Sequence, residues 1–236
     1  MGGCIFSKYK SQKKSVARHF LILIDLFKIK LKIIFLTGLM LIACETVLGK
    51  NPDMIMQVSG DRIIIGGYLD HSKFSEFSEI IDRISPKVIV FNNVVGGSPA
   101  SVYLYRTKIL AINIETQIDG NCFSACALVF LAGRERSVAL SHRSAIAFHG
   151  PRAPNGEEMP KFRDAYKAQI KNRTQGKFPD DLIELALNNN QPSGALFFNI
   201  DSVFGIRTVW TIYCERQDQC RKIPNADPYE FLIFTK

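Results

Sequence analysis

Three short motifs hold the residues whose types suit acyl transfer. Ser124 stands at the centre of Cys122-Phe-Ser-Ala-Cys126, after the Asp119-Gly120 turn and before an unbroken apolar run. The pair Gly96-Gly97 comes earlier in the chain, and His149 comes 25 residues after the serine. A serine hydroxyl, a histidine and backbone amides that a glycine pair can aim are the minimum parts for acyl transfer. The three motifs therefore predict an acyl-transfer site around Ser124.

Each motif also has a purely structural interpretation. Ser124 would then be a small residue at a crowded helix start, and His149 a histidine that packs in the core or at its rim. The glycine pair would mark an ordinary turn between a strand and a helix. These alternatives stay open at the level of sequence.

The elements before the glycine pair predict a parallel sheet. Residues 53–67 contain two β-branched runs separated by Ser-Gly-Asp, which is typical of a strand pair, and residues 72–84 show the apolar spacing of an amphipathic helix. The apolar segment 88–91 then predicts a buried strand. A strand, a helix and a strand in this length form a βαβ unit, so the fold class is α/β. The loop 92–98 follows the second strand, and the carboxyl ends of parallel strands are where α/β folds place their ligands.

The rest of the chain continues the alternation of strands and helices. Residues 150–160, rich in proline, predict a loop beside His149 that serves as a lid or a substrate rim. Asp201 is expected to cap a helical turn. The other predicted elements are helices at 99–110, 161–172 and 180–187, and strands at 111–118, 137–140, 145–148, 209–213 and 230–234.

The first 50 residues differ in character from the rest. They carry nine Lys or Arg against two acidic residues, whereas residues 51–236 carry 21 against 20. The formal charge of +8 therefore belongs almost wholly to this leader, and the domain at 51–236 has no basic stripe of the kind that binds nucleic acid. We expect no nucleic-acid partner.

The leader predicts export or membrane attachment in a bacterium. Its clean apolar segment, 33–44, is short for a bilayer span of about 20 residues and suits the core of a signal peptide. Leu41-Ile42-Ala43-Cys44 also matches a lipobox, which would make Cys44 a lipidated first residue of the mature protein. Cleavage near Gly49 and a retained signal anchor remain alternatives. All three place the domain in the periplasm or at a membrane.

Four cysteines lie beyond the leader. Cys214 and Cys220 bracket a polar loop and predict a local disulfide. Cys122 and Cys126 are four residues apart, a spacing that seldom permits a bridge within a regular helix, and we interpret them as small buried residues. The sequence has no CxxC spacing, so we predict no metal site and no other cofactor.

The order of these motifs resembles the superfamily of the Clp protease proteolytic subunit and crotonase. The resemblance is carried by Ile63-Ile-Ile-Gly-Gly-Tyr-Leu69, Gly96-Gly97-Ser98, Cys122-Phe-Ser-Ala-Cys126, Leu131-Ala-Gly-Arg134 and Phe148-His149. It covers roughly residues 60–206 and is closest to exported bacterial Clp-protease-like proteins of undefined function. It implies a ClpP/crotonase-like spiral of βαβ units with a mainly parallel sheet.

The same resemblance assigns roles to individual residues. It makes Ser124 the nucleophile and His149 its general base, with the N–H groups of Gly97 and Ala125 as the oxyanion hole. Two departures from the family pattern matter. Val95 stands where the family usually has a proline, and the aspartate that completes the family's triad has no clear equivalent. Asn190, Asp201 or no residue at all would fill that third place.

Two classes of function follow from the resemblance. The first is an exported or membrane-anchored serine hydrolase of peptidase type, acting on a peptide or protein without a cofactor. The second is a catalytically inactive member of the fold that serves as a binding or assembly module, since members of this superfamily often form homo-oligomers. A crotonase-type thioester site is a weaker third interpretation, because acyl-CoA substrates are cytosolic.

Overall fold

A computed structural model describes residues 51–139, 143–153, 157–187, 194–203, 206–216 and 218–236. Residues 51–236 form one compact unit. The leader at 1–50, and with it Cys44, lies outside the described residues, as does Asn190. In the part of the chain that is described, no helix is long and apolar enough to cross a membrane.

The domain is a mixed α/β fold, and its described residues form one sheet of ten strands. Two short 3-10 turns, at His71–Lys73 and Pro160–Phe162, precede the first and fourth helices. The helices are α1 (Phe74–Ile84), α2 (Pro99–Ile112), α3 (Ala125–Phe130), α4 (Arg163–Arg173) and α5 (Asp180–Leu187). The strands are β1 (Ile55–Ser59), β2 (Arg62–Leu69), β3 (Val88–Gly97), β4 (Glu115–Ile118), β5 (Asn121–Phe123), β6 (Arg136–Val138), β7 (Ser144–Phe148), β8 (Ala195–Val203), β9 (Ile206–Arg216) and β10 (Gln219–Ile223).

The centre of the sheet is parallel, as the sequence predicts. Strand β3 lies parallel to β2 on one side and to both β4 and β5 on the other. It pairs with β4 along Val88–Phe91 and then with β5 at Val94, so it changes partner partway along its length. Strand β4 also pairs in parallel with β6, and β5 pairs in parallel with β7. The antiparallel strands β8, β9 and β10 extend the sheet beyond β7.

The predicted βαβ unit is confirmed from β2 to β3. Helix α1 buries Phe77 and Ile81 in the hydrophobic core, and they lie on the apolar face that the sequence spacing predicts. It ends at Ser85, which adopts the left-handed conformation with φ 45°, immediately before Pro86. A proline at that point cannot continue a helix, so the chain turns into β3.

Two predicted elements near the carboxyl end are wrong. Asp201 does not cap a helical turn, because it belongs to strand β8, which pairs with β7 and β9. Residues 230–234 form turns instead of a strand, and the N–H groups of Ile233 and Phe234 both donate to the carbonyl of Pro228. Phe231 and Phe234 are nevertheless buried, because the turns direct these rings into the core.

Helix α3 is buried along its whole length and ends against two arginines. The Arg173 guanidinium donates to the carbonyls of Leu131, Ala132 and Gly133, just beyond the helix. Arg136 is 3 % exposed and donates to the carbonyl of Gly133 and to carbonyls at the carboxyl end of the chain. Burial, and then the neighbouring charge of Arg173, lowers the pKa of Arg136 to about 10. These two side chains hold the far end of the helix that Ser124 begins.

Candidate active site

Ser124 occupies a sharp turn between β5 and α3. Its backbone has φ 59° and ψ −122°, a combination that side-chain-bearing residues rarely adopt and that often marks a functional site. The Ser124 N–H donates to the carbonyl of Ala147 at 2.9 Å, and the N–H of Ala127 donates to the Ser124 carbonyl at 3.0 Å. The turn is therefore held from β7 on one side and by the first turn of α3 on the other.

The strand register brings Ser124 and His149 to the same edge of the sheet. Strands β5 and β7 are parallel neighbours, with Phe123 opposite Ala147. Ser124 follows the last residue of β5, and His149 follows the last residue of β7. Among the hydrogen bonds of the described residues, none joins the Ser124 hydroxyl to the His149 ring. A nucleophile and its base often separate in the absence of substrate, so the shared edge is the informative observation.

A backbone carbonyl fixes the tautomer of His149. Nδ1 of the ring lies 2.6 Å from the carbonyl oxygen of Gly150. Because a carbonyl can only accept, Nδ1 carries the proton and Nε2 keeps its lone pair. Burial, assisted by the nearby charge of Arg152, lowers the pKa of His149, against the opposing effect of the Gly150 hydrogen bond. The ring is therefore neutral near pH 7 and presents a basic nitrogen.

Asp201 is excluded as the residue that orients His149. In the antiparallel pairing of β7 and β8, Ser144 lies opposite Ile200, so Asp201 lies near the start of β7 while His149 follows its end. The Asp201 carboxylate instead accepts from Arg143, at 3.1 Å. The alternative, Asn190, lies outside the described residues. Within those residues, the hydrogen-bond partner of Nδ1 is the Gly150 carbonyl.

The glycine pair lies beside the serine, as the sequence predicts. A methyl group placed on Gly97 would lie 3.2 Å from the Cβ of Ala125 and 2.8 Å from the Cβ of Leu69. A methyl group on Gly96 would lie 3.5 Å from the Cβ of Ser124. The end of β3 therefore contacts the serine turn closely. Ala125 is the first residue of α3, where a backbone N–H has no partner within the helix.

Tyr68 is a neighbour of the site that the sequence analysis did not identify. Its ring is 3.8 Å from the position that a methyl on Gly96 would take, so it faces the same space as Ser124. Burial, and then the charge of Asp70, raises the pKa of its hydroxyl. Its position depends on the two register shifts where β2 pairs with β3, on either side of Gly67, and a glycine within a strand is the local signal that could have indicated them.

The described part of the proline-rich loop forms a small hairpin next to His149. Arg152 pairs with Glu158 as an isolated antiparallel bridge, and the N–H of Met159 donates to the carbonyl of Pro151. Gly150 packs directly against the carbonyl of Leu187 at the end of α5, with no room for a side chain. The corner that carries His149 is thus fixed from two directions.

Two disulfides are present among the described residues. One joins Cys214 to Cys220 across the β9–β10 hairpin. The other joins Cys122 to Cys126, with a Cα–Cα distance of 5.2 Å, and corrects the interpretation of these residues as unbridged. That interpretation placed both cysteines on one helix. Cys122 instead belongs to β5, and the turn at Ser124 folds the strand back over the start of α3.

The described residues include no cluster of three His, Cys, Asp or Glu side chains that could hold a metal ion. The chemistry available at this edge comes from the hydroxyl of Ser124, the imidazole of His149 and nearby backbone amides. These groups suit nucleophilic attack on a carbonyl carbon.

Several solved structures have a distant structural likeness to this protein. No protein-family description and no curated protein matches the sequence. A serine-to-alanine form of the 1510-N membrane-bound stomatin-specific protease aligns at 17 % identity and a TM-score of 0.39, over 53 % of this chain and 67 % of that one. An enoyl-CoA hydratase/isomerase from Acinetobacter baumannii aligns at 8 % identity and a TM-score of 0.39, over 63 % of this chain and 68 % of that one. An enoyl-CoA hydratase from Polaromonas sp. JS666 aligns at 10 % identity and a TM-score of 0.37, over 57 % of this chain and 62 % of that one.

Proposed function

We propose that this protein is a serine hydrolase of peptidase type, with Ser124 as the nucleophile and His149 as the general base. One observation carries the proposal. Ser124 sits on a strained turn at the end of β5, and His149, with Nε2 unprotonated, follows the end of the neighbouring parallel strand. The N–H groups of Gly97 and Ala125 are the proposed oxyanion donors.

The proposed reaction is acyl transfer in two steps. The Ser124 Oγ attacks the carbonyl carbon of a peptide bond while His149 Nε2 accepts the hydroxyl proton, and a C–O bond forms. The carbonyl oxygen becomes an oxyanion that the two backbone N–H groups stabilise. His149 then gives its proton to the leaving amine as the C–N bond breaks. Water, activated by the same nitrogen, hydrolyses the resulting ester and frees the serine.

The Gly150 carbonyl supplies only part of what a carboxylate supplies in a serine triad. It accepts a hydrogen bond from the Nδ1–H group and so selects the productive tautomer. It carries no full negative charge, however, and stabilises the imidazolium less than a carboxylate does. We therefore expect slow turnover relative to enzymes with a complete triad.

We propose that the domain works outside the bacterial cytoplasm, in the periplasm or anchored to a membrane through residues 1–50. The basic and apolar pattern of that leader supports this location, and two disulfides suit an oxidising compartment. Cell fractionation of the full chain tests it. A Cys44→Ala variant that leaves the membrane fraction would identify lipidation, and a soluble cytosolic wild type would contradict export.

The experiment for the catalytic proposal is labelling with a fluorophosphonate probe, read by intact mass. We expect one adduct per folded wild-type chain and none in Ser124→Ala or His149→Ala. Ser75→Ala, at an exposed position of α1, is the matched control and should label like the wild type. Folded wild type that takes up no probe would refute the serine-hydrolase proposal.

A catalytically inactive binding or assembly module is the second candidate. It is favoured by the position of Asp201, which pairs with Arg143 far from His149, and by the lack of a Ser124–His149 hydrogen bond within the described residues. This candidate predicts a homo-oligomer or a peptide complex with no probe uptake. Sedimentation velocity together with the labelling experiment separates the two functions.

A further inference from the structure

We propose that the disulfide Cys122–Cys126 is a positioning device that holds the strained turn at Ser124. That the disulfide holds the turn is independent of catalysis, whereas an effect of the disulfide on the reaction rests on the proposed function. The bridge is called the elbow clamp below, and Cys122 and Cys126 are its positioning residues.

The elbow clamp joins the two elements on either side of the nucleophile. Cys122 is the middle residue of β5, where it pairs with Val94 of β3 and Ile146 of β7. Cys126 is the second residue of α3. Ser124 lies midway between them, so the covalent link spans the turn symmetrically. The bridge therefore fixes the angle and separation of strand and helix at the point where Ser124 departs from ordinary backbone geometry.

Burial gives the clamp a permanent place in the core. Cys122 and Cys126 are both 0 % exposed, and they belong to the same apolar cluster as the rest of α3. Solvent thiols cannot reach these sulfur atoms without opening the core. The clamp is therefore suited to a constant structural constraint on the turn rather than to reversible reduction.

The conformation of Ser124 explains why a constraint is useful. Its φ of 59° with ψ −122° is unfavourable for any residue with a side chain, so an unconstrained turn would tend to relax. Relaxation would rotate both the Ser124 Oγ and the Ala125 N–H, because the same peptide unit joins these two residues. The clamp thus keeps the proposed nucleophile and one proposed oxyanion donor in fixed relation to each other.

The chain offers a matched control in its other disulfide. Cys214–Cys220 lies across the hairpin of β9 and β10, and Cys220 is exposed. These strands lie at the far end of the sheet, separated from β7 by β8. Removing this bridge changes the number of disulfides equally but leaves the turn at Ser124 untouched.

The first test compares labelling kinetics in the two bridge-free variants. The Cys122→Ala/Cys126→Ala variant should label with fluorophosphonate at least about tenfold more slowly than the wild type, because small misplacement of a reacting group has large kinetic effects. The clamp-free variant should have a lower maximal rate of inactivation, while the probe concentration that gives half of the maximal rate should be unchanged. Cys214→Ala/Cys220→Ala should label within about twofold of the wild type. A folded clamp-free variant that labels as fast as the wild type would overturn the catalytic part.

The second test needs no activity. In the presence of the clamp, Ser124→Gly should raise the melting temperature, because glycine tolerates the positive φ. In the clamp-free background the turn has already relaxed, and the same substitution should bring no gain. In the background lacking Cys214–Cys220 the gain should persist. An equal change in all three backgrounds would overturn the structural part of the proposal.

The two tests distinguish failure of the proposed hydrolase function from failure of the proposed role of the clamp. A wild type that takes up no probe removes the hydrolase proposal, while the melting-temperature comparison still decides whether the clamp holds the turn. Cys122→Val with Cys126→Ala is the second clamp-free variant, because valine suits a buried strand position if the double alanine variant does not fold. The positioning role is supported if probe uptake falls in the clamp-free protein but not in the wild type or in the variant without Cys214–Cys220.

Discussion

The closest contact between the glycine pair and the serine turn yields the sharpest prediction. In Gly97→Ala, the new methyl group would lie 2.8 Å from the Cβ of Leu69, 3.0 Å from the Leu69 carbonyl oxygen and 3.2 Å from the Cβ of Ala125. These distances are shorter than van der Waals contact. The end of β3 must therefore shift by a few tenths of an ångström relative to Leu69 of β2 and Ala125 of α3, carrying the Gly97 N–H with it.

This displacement has two separate costs. Overpacking of a tight contact lowers stability by about 1–3 kcal/mol, and in a domain of this size each kcal/mol lowers the melting temperature by about 2–4 °C. Complete loss of one oxyanion donor slows a serine hydrolase by about 10²–10³. Because the donor is moved rather than removed, we expect a fall of about 10- to 100-fold in the fluorophosphonate labelling rate.

The assay is the second-order labelling rate of folded protein, with the melting temperature measured alongside it. Gly176→Ala is the matched control, because Gly176 has φ +72° with open space around it. That substitution strains the backbone by about 1–2 kcal/mol and should leave the labelling rate unchanged. If Gly97→Ala loses stability but labels within about twofold of the wild type, the position of the Gly97 N–H does not matter and the proposed oxyanion hole is wrong.

Three further predictions concern charged groups. The labelling rate should rise with pH through an apparent pKa below about 6.5, because burial and the charge of Arg152 favour neutral His149. In Arg152→Gln the positive charge that disfavours the imidazolium is gone, so the inflection should move to higher pH. An unchanged pH–rate profile would contradict this. Asp201→Asn should leave the rate and its pH profile unchanged and cost at most about 1 kcal/mol in urea unfolding, whereas a shifted profile would restore Asp201 to the site. Arg136→Met should lower the free energy of unfolding by about 3 kcal/mol or more, because several buried carbonyls lose their donor; the exposed Arg134→Met is its control, and equal losses would show that the buried contacts are not responsible.

The elements with clear periodicity were predictable from the sequence. The spacing of Phe77 and Ile81 predicts helix α1, and Pro86 predicts its end, since both signals are local. Strand β8 was not predicted, because Asp201 near its end resembles a helix cap and its partner β7 lies far back in the chain, although its other partner, β9, begins only three residues after it ends. Residues 230–234 show the opposite error, because their apolar side chains pack into the core from turns.

The assembly of the site was predictable to the level of which segments meet. His149 follows strand β7, which was predicted, whereas Ser124 follows the short strand β5, which was not; the parallel register of β5 and β7 places the two residues at one edge. The partner of the His149 Nδ1 was not predictable, because a backbone carbonyl leaves no mark in the sequence. The bridge between Cys122 and Cys126 was missed since its formation depends on helix α3 starting at residue 125 and not earlier.

The contacts of Arg136 also constrain the order in which parts of the chain can fold. Its guanidinium donates to the carbonyls of Leu232 and Ile233, and its backbone exchanges hydrogen bonds with Thr235. Until these residues have left the ribosome, the Arg136 guanidinium lacks these acceptors and keeps only the carbonyls of Gly133 and Arg173. Because that cation abuts the end of helix α3, the segment carrying Ser124 reaches its final packing only after residues 232–235 have joined the fold.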